Sequence, residues 1–467
     1  MAFRSRVGTA LYRQGSARVL AYTRRPQAEL ALKSSPLSSS RANQLHRPAT
    51  ACRQLSSTAA SRSPFTTSSA ATTAAAEDEA VAAWVEADST VAVRFPDGAV
   101  TRYHGIWLRD HCQCPACFHP VTKQRLLDTA AIPLSIKPAV MTVAEDNKAL
   151  NIVWDTDSHQ STVDLAWLRH HSYAPKLPPL HSSNSATATV AQRPKRLWDA
   201  SIASKLPIVQ YADVMNSDQG LAAWLADIDV YGLGFVDGVP ATPKATEQLG
   251  RRVAFIRETH YGGFWDFSAN LEHGDTAYTQ LALPAHTDTT YFTDPIGLQL
   301  FHLLEHRGTG GESLYVDGFH VADQLRATHP WAYDILSTVR MSAHSAGDAN
   351  TLMEPATTFP LLNHDPLTSQ LYQIRFNNDD RSTFSHLPPS RVKDFYAALK
   401  EWTRILRDPS NELWTQLKPG RAVMVDNWRV LHGRAEFTGH RRLTGCYHNW
   451  DDYRSRVKTV LDKKVMS

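Results

Sequence analysis

The sequence predicts a mainly β protein with flanking helices: a double-stranded β-helix, or jelly roll, as its large domain, with a small β-rich N-terminal domain before it. Three observations predict this. Short runs rich in Val, Ile, Phe and Tyr alternate with Gly, Pro and Asp turn signals, and long helical patterns are few. Cys112, Cys114 and Cys117, three of the five cysteines, crowd into one short stretch. The run Leu283 to Phe292, L-P-A-H-T-D-T-T-Y-F, sets His286 and Asp288 two residues apart in a β-branched, aromatic segment. Extended backbone is favoured there, and i and i+2 then share a face, so an imidazole and a carboxylate can meet one metal ion.

Composition narrows the reading. The chain has 467 residues and a formal net charge of only +3, much of the basic excess lying at the N-terminus, so no basic stripe argues for nucleic acid. No uncharged apolar run is long enough to span a bilayer, and a mature protein off the membrane is expected.

Residues 1–76 are rich in Arg, Ser, Ala and Thr, with Glu29 the only acid, the composition of a mitochondrial transit peptide or a disordered tail. From 80 to 171 short alternating runs suggest a small β-rich domain: V-A-V-R-F, the turn Pro96-Asp97-Gly98, A-V-T-R-Y, and later N-I-V-W-D. Tetrahedral zinc needs four soft or borderline ligands, and Cys112, Cys114 and Cys117 supply three. His159 is the candidate for the fourth, with His111 and His119 as nearer rivals. Such a closed site is structural, and so small a domain gains most from a metal staple.

Residues 172–205 are dense in Pro, Ser, Thr and Ala, with a basic R-P-K-R piece, and read as a linker or surface insertion without chemistry. The large domain, 206–467, opens with a helical stripe at Leu221, Trp224, Leu225 and Ile228, a strand Y-G-L-G-F-V, and a second helix with Thr242 as cap and Pro243 first, expected to run to about Arg257. G-L-Q-L-F-H-L-L-E and S-L-Y-V-D read as two strands joined by a hairpin turn across G-T-G-G. Helical patterns at 321–339 and 392–406 either cover the sheet or meet a second copy of the chain in a homodimer. L-Y-Q-I-R-F-N-N-D-D-R is a strand ending in polar residues, and A-V-M-V-D another. In M-V-D-N-W-R-V-L-H-G-R an apolar run ends in His432, the candidate third ligand for the His286–Asp288 metal. Two His and one carboxylate on one side of a metal leave positions open, the arrangement of non-haem Fe(II) oxygenases.

Joined to the stretch Trp107 to Cys117, these residues make the chain resemble the γ-butyrobetaine and trimethyllysine dioxygenases, Fe(II)- and 2-oxoglutarate-dependent enzymes of carnitine biosynthesis. The likeness runs from about residue 85 to the C-terminus, with 172–205 poorly matched. It is carried by H-T-D-T-T-Y-F, G-T-G-G, V-D-G-F, R-F-N-N-D-D-R, D-N-W-R-V-L-H-G-R and T-G-H-R-R-L-T-G-C-Y, which resemble the trimethyllysine branch more closely. That resemblance implies hydroxylation of trimethyllysine at carbon 3 with O2, ascorbate as an auxiliary reductant, and a place in the mitochondrial matrix. It implies Arg441 as the partner of the 2-oxoglutarate carboxylate, with Arg442 and Arg434 as alternatives. It implies an aromatic cage of Tyr261, Trp265, Tyr278 and Tyr447 around the trimethylammonium group. Asp275, of a second His-x-Asp pair with His273, stands where that branch has an acid, and becomes a substrate contact beside Asn377 and Asn378. Cys112, Cys114, Cys117 and His159 match the zinc site of the butyrobetaine enzymes. The rival readings are γ-butyrobetaine hydroxylation and a metal-stabilised module that has lost catalysis.

Overall fold

The computed structural model describes residues 81–178, 193–268, 277, 279–347 and 350–462. Among these, strands Phe264–Ser268, His440–His448, Leu298–Arg307, Arg421–Asp426, Leu233–Asp237 and Ile208–Gln210 lie side by side in one sheet, with Ile256–Arg257 added against His440–His448. A second sheet orders Leu283–His286, Val430–Arg434, Ser313–Asp317 and Leu413–Thr415. Pairing is antiparallel throughout both sheets except where Ile208–Gln210 runs beside Leu233–Asp237.

The alternation of side chains explains why two layers form. In Arg421–Asp426, Val423 and Val425 face the space between the sheets with Phe235, Leu303, Tyr315 and Leu443, whereas Ala422 and Met424 face outward. Against that outward face pack Asp218–Tyr231, Pro243–Val253 and Trp450–Leu461, with Trp224 and Leu249 wholly buried. Gly318–Thr328, Pro330–Thr338 and Pro389–Leu406 cover the other sheet, where Trp402 is wholly buried. Each such side chain contributes about 2–3 kcal/mol by leaving water.

Four elements differ from the sequence reading. The G-T-G-G segment is no hairpin, for Leu298–Arg307 and Ser313–Asp317 belong to different sheets. Gly308, Gly310 and Gly311 all have positive φ, and the segment presses on a second corner at 436–439: a Cβ on Gly308 would meet Thr438 O at 1.8 Å. Only glycine permits that approach, so the motif is a sheet-switching corner. The helical pattern 321–339 is two helices, because Pro330 cannot continue the first and starts the second. The helix opened by Thr242 ends at Val253, with strand Ile256–Arg257 beyond it. From residue 193 the stretch read as a linker already belongs to the large domain's packing: Trp198 is buried, its N–H donates to Asp317, and Arg193 and Lys195 pair with buried Asp229.

Upstream, Ala82–Val85, Val91–Arg94 and Val100–Tyr103 form one three-stranded sheet, and Pro138–Val143, Ala149–Trp154 and Gln160–Asp164 another. Both bury their inner faces in one apolar cluster around Tyr103, Leu108, Leu150, Trp154 and Leu168.

Candidate active site

The neighbouring strands Leu283–His286 and Val430–Arg434 place His286 directly opposite His432, their rings 4.7 Å apart. Asp288 does not share a strand with His286 as the spacing suggested. The strand stops at His286, and Thr289 takes φ +54°, a conformation that β-branched residues rarely adopt. The turn is held by Asn427, which accepts from Asp288 N–H (2.8 Å) and donates to Asp288 O and Ile296 O (3.1 Å each). The turn swings the carboxylate back, so Asp288 Oδ1 lies 3.1 Å from His286 Nε2 and 3.6 Å from His432 Nε2.

These three side chains fit a divalent cation. His286 Nδ1–H donates to Pro284 O at 2.8 Å, which leaves Nε2 as the free lone pair. His432 Nδ1, buried, has no partner among the described residues. Burial disfavours charge on all three, yet both imidazoles hold the Asp288 carboxyl far below the usual carboxylate range. Burial lowers His286, but the hydrogen bond and charge of Asp288 outweigh it and raise the imidazole to about 9. Burial wins at His432, whose pKa is lowered. An ionised carboxylate with two imidazole nitrogens converging on it is a site where a metal can take the place of a proton.

The triad opens into a cavity of about 620 Å³. Arg441 enters it from strand His440–His448, 6% exposed, its Nε without a hydrogen-bond partner among the described residues. Burial lowers its pKa to about 10, and among the described residues no carboxylate pairs with it. Arg442, on the opposite face, binds Asp266 at 2.6 Å. Arg434 also lines the cavity and its Nε too lacks a partner among the described residues, but both its terminal nitrogens donate to carbonyls, of Ala277, Thr279 and Leu281. An unpaired buried guanidinium is costly unless an anion joins it, which leaves Arg441 suited to a carboxylate ligand.

Trp265, Tyr261 and Tyr447 line the same cavity, with Trp265 and Tyr447 ring centroids 6.0 Å apart. The indole lies over Gly445, where a Cβ would come within 2.4 Å of it. Asn377 and Asn378 also line the cavity. Asp275 and Tyr278 lie outside the described residues. Sequence reasoning missed Asn427 as the holder of Asp288 and Tyr291, whose hydroxyl meets that of Tyr261 at 3.1 Å on the cavity wall. Both stand within quoted motifs, but nothing in the pattern signals which side chain turns inward.

Away from this cavity, His159 Nε2 lies 3.4 Å from Cys112 Sγ and 3.5 Å from both Cys114 and Cys117 Sγ. One imidazole nitrogen equidistant from three thiols suits tetrahedral zinc. The rivals are engaged elsewhere: His111 Nδ1–H donates to Trp107 O, and His119 Nδ1 accepts from Val121 and Thr122 N–H.

A jelly roll whose inner mouth gathers two imidazoles, one carboxylate and, in the same cavity, an unpaired guanidinium defines a class, the Fe(II)- and 2-oxoglutarate-dependent oxygenases. Residues 193–447 match the taurine catabolism dioxygenase TauD, TfdA family, and residues 84–169 the γ-butyrobetaine hydroxylase-like N-terminal family. The trimethyllysine dioxygenase of Meyerozyma guilliermondii is 42% identical over 376 residues, 79% of this chain and 93% of that protein. The mitochondrial trimethyllysine dioxygenase of Rattus norvegicus is 43% identical over 358 residues, 76% of this chain and 81% of that one. A γ-butyrobetaine dioxygenase from Pseudomonas sp. is 33% identical over 373 residues, 79% of this chain and 93% of its own length. The chain therefore belongs to the trimethyllysine dioxygenase family.

Proposed function

We propose that this enzyme hydroxylates carbon 3 of N6,N6,N6-trimethyllysine, with His286, Asp288 and His432 holding Fe(II) and Arg441 holding the far carboxylate of 2-oxoglutarate. The observation that carries the reading is one cavity containing all three kinds of group: a metal triad, an unpaired guanidinium and an aromatic wall. When bound, iron and 2-oxoglutarate supply the oxidant, with the co-substrate decarboxylated to succinate and O2 consumed. The chain's own task is positioning. Tyr261, Trp265 and Tyr447 offer ring faces to a trimethylammonium group, which has no N–H to donate. Asn427 fixes the backbone turn that aims the Asp288 carboxylate at the place a metal would take. His432 and Arg441 are buried, and His286 and Asp288 are part-exposed on the cavity wall, so a bound substrate would complete the exclusion of water. The amine is chosen over γ-butyrobetaine because the trimethyllysine relatives are more alike in sequence. Ascorbate would keep the iron ferrous between turnovers. Zinc on Cys112, Cys114, Cys117 and His159 would staple the upstream sheets, and the Arg-rich residues 1–76 would direct the chain to the mitochondrial matrix.

The test offers trimethyllysine, γ-butyrobetaine and lysine in parallel with Fe(II), 2-oxoglutarate and ascorbate, and reads product mass. One added oxygen on trimethyllysine, matched by succinate, supports the reading. Oxidation of γ-butyrobetaine in its place overturns the substrate, and His286→Ala with full turnover overturns the triad.

A further inference from the structure

The small upstream unit repeats itself. Helix Gly105–Asp110 reads G-I-W-L-R-D and is followed by His111; helix Leu165–His170 reads L-A-W-L-R-H and is followed by His171. Their ends match: His111 Nδ1–H donates to Trp107 O at 2.7 Å, and His171 Nδ1–H to Trp167 O at 2.8 Å. Leu108 and Leu168, and Arg109 and Arg169, are buried in step. Each helix follows a hairpin whose turn carries an aspartate before a residue of positive φ, Asp97 with Gly98 and Asp157 with Ser158. Asp97 Oδ1 accepts from Ala99 N–H at 3.2 Å, and Asp157 Oδ1 from His159 N–H at 3.0 Å. The two halves then exchange partners: Arg169 forks onto Asp97 at 2.9 and 2.7 Å, and Arg109 holds Asp157 at 3.3 and 2.9 Å.

Two equivalent junctions result, and they are finished differently. At one, Cys112, Cys114 and Cys117 follow the first helix and surround His159 of the second turn. At the other, Ser172, Ala174 and Leu177 take the matching places, and Ala99 stands where His159 would. That junction is closed by the chain itself: Arg102 N–H donates to Ala174 O (2.9 Å), Thr101 Oγ1 to Pro175 O (2.8 Å) and Leu177 N–H to Ser172 Oγ (2.7 Å). The spare guanidinium donor follows the same division. Arg169 Nε donates to Pro178 O at 3.1 Å, whereas Arg109 Nη1 donates to Cys117 Sγ at 3.2 Å.

We propose that the unit is an internal duplication in which only one of two equivalent junctions holds a metal, and that Arg109 is the positioning residue that retains it. The proposal rests on the zinc reading above. Three thiolates and a neutral imidazole around Zn²⁺ leave one net negative charge in a mostly buried place, and Arg109, 5% exposed, sets its cation against it. Arg169 makes the matching pairing with a turn aspartate and touches no cysteine, so it is a control inside the same chain.

The experiment compares the full chain with Arg109→Met, Arg109→Lys and Arg169→Met, measuring zinc per chain, zinc release to a chromogenic chelator, and melting temperature. Both Met variants lose a buried arginine pairing with a turn aspartate and should melt lower by similar amounts. Only Arg109→Met should release zinc faster, about 10- to 100-fold, with Arg109→Lys intermediate. Release at the parental rate from Arg109→Met, or equal acceleration in Arg169→Met, overturns the role of Arg109. If Arg109→Met does not fold, parental release from Arg109→Lys overturns it. A parental chain that takes up no zinc overturns the zinc reading itself, and this proposal with it.

Discussion

Arg441→Met removes the cavity's unpaired cation while keeping most of its bulk. Arg441 is 6% exposed, its Nε has no partner among the described residues, and burial already lowers its pKa to about 10. A carboxylate that binds it through two hydrogen bonds therefore gains a desolvated, charge-assisted contact, and truncating one partner of such a pair costs 2–5 kcal/mol. The cavity is open at its mouth, so the lower part of that range, about 2–3 kcal/mol, applies. The KM for 2-oxoglutarate should rise roughly 30- to 150-fold at about 1.4 kcal/mol per tenfold. The assay is succinate formation against 2-oxoglutarate concentration at saturating amine, with KM for the amine measured in parallel and expected within about threefold of the parent. A second readout has the opposite sign to an ordinary buried-residue loss. Without co-substrate the variant should melt no lower than the parent, because an uncompensated buried charge has been removed. Added 2-oxoglutarate should then raise the parent's melting temperature but not the variant's. Equal losses for 2-oxoglutarate and amine would refute the reasoning, as would a selective 2-oxoglutarate effect in Arg442→Met, whose guanidinium faces away and binds Asp266.

Three further outcomes follow from other parts of the structure. Asn427→Ala leaves the buried Ile296 carbonyl and the part-buried Asp288 carbonyl and N–H unpaired, which should cost about 2–3 kcal/mol and cut Fe(II) affinity about 10- to 100-fold, measured by metal titration. Tyr261→Leu should raise KM for trimethyllysine roughly 3- to 30-fold and narrow its preference over lysine, whereas an unchanged preference would remove Tyr261 from the wall that holds the cation. At Asp229, burial raises the pKa, but Lys195, Arg454 and Arg193 outweigh it and depress the carboxyl below 3.8. Its stabilisation is therefore present above the unfolded value of 3.8 and lost as pH falls through the folded value, so Asp229→Asn should show a shallower decline in acid stability than the parent by denaturant titration.

The parts of the fold that sequence makes legible are those in which local chemistry and global placement agree. The hairpin at Pro96-Asp97-Gly98, the stripe of Leu221, Trp224, Leu225 and Ile228, and the Thr242 cap form where the pattern puts them. The grouping of His286, Asp288 and His432 was legible because a β-branched, aromatic segment and an apolar run ending in His set these two histidines apart from the chain's others, and the inward face of Arg441 because strand alternation leaves Arg442 outside. Where the reading failed, a distant contact decided the conformation. G-T-G-G has hairpin glycines, yet the opposing corner at 436–439 makes those glycines necessary for close packing and sends the strands to different sheets. Asp288 meets His286 through a strained turn held by Asn427, far along the chain, and not through the pleat. Trp198 looks like part of a Pro- and Ser-rich linker until Asp317 and Leu233 are placed beside it. The duplicated unit hides for a related reason, since a turn aspartate and W-L-R-x-H are nearly all that its halves visibly share and the arginine exchange appears only in three dimensions.

The central claim is that this cavity carries out 2-oxoglutarate-coupled hydroxylation of trimethyllysine, and ¹⁸O2 tests it most directly. Mass spectrometry after turnover with Fe(II), 2-oxoglutarate and trimethyllysine should find one ¹⁸O in hydroxytrimethyllysine and one in succinate, in equal amounts, with proton NMR placing the new hydroxyl on carbon 3. Succinate formed without labelled amine product, or a hydroxyl at another carbon, would contradict the account.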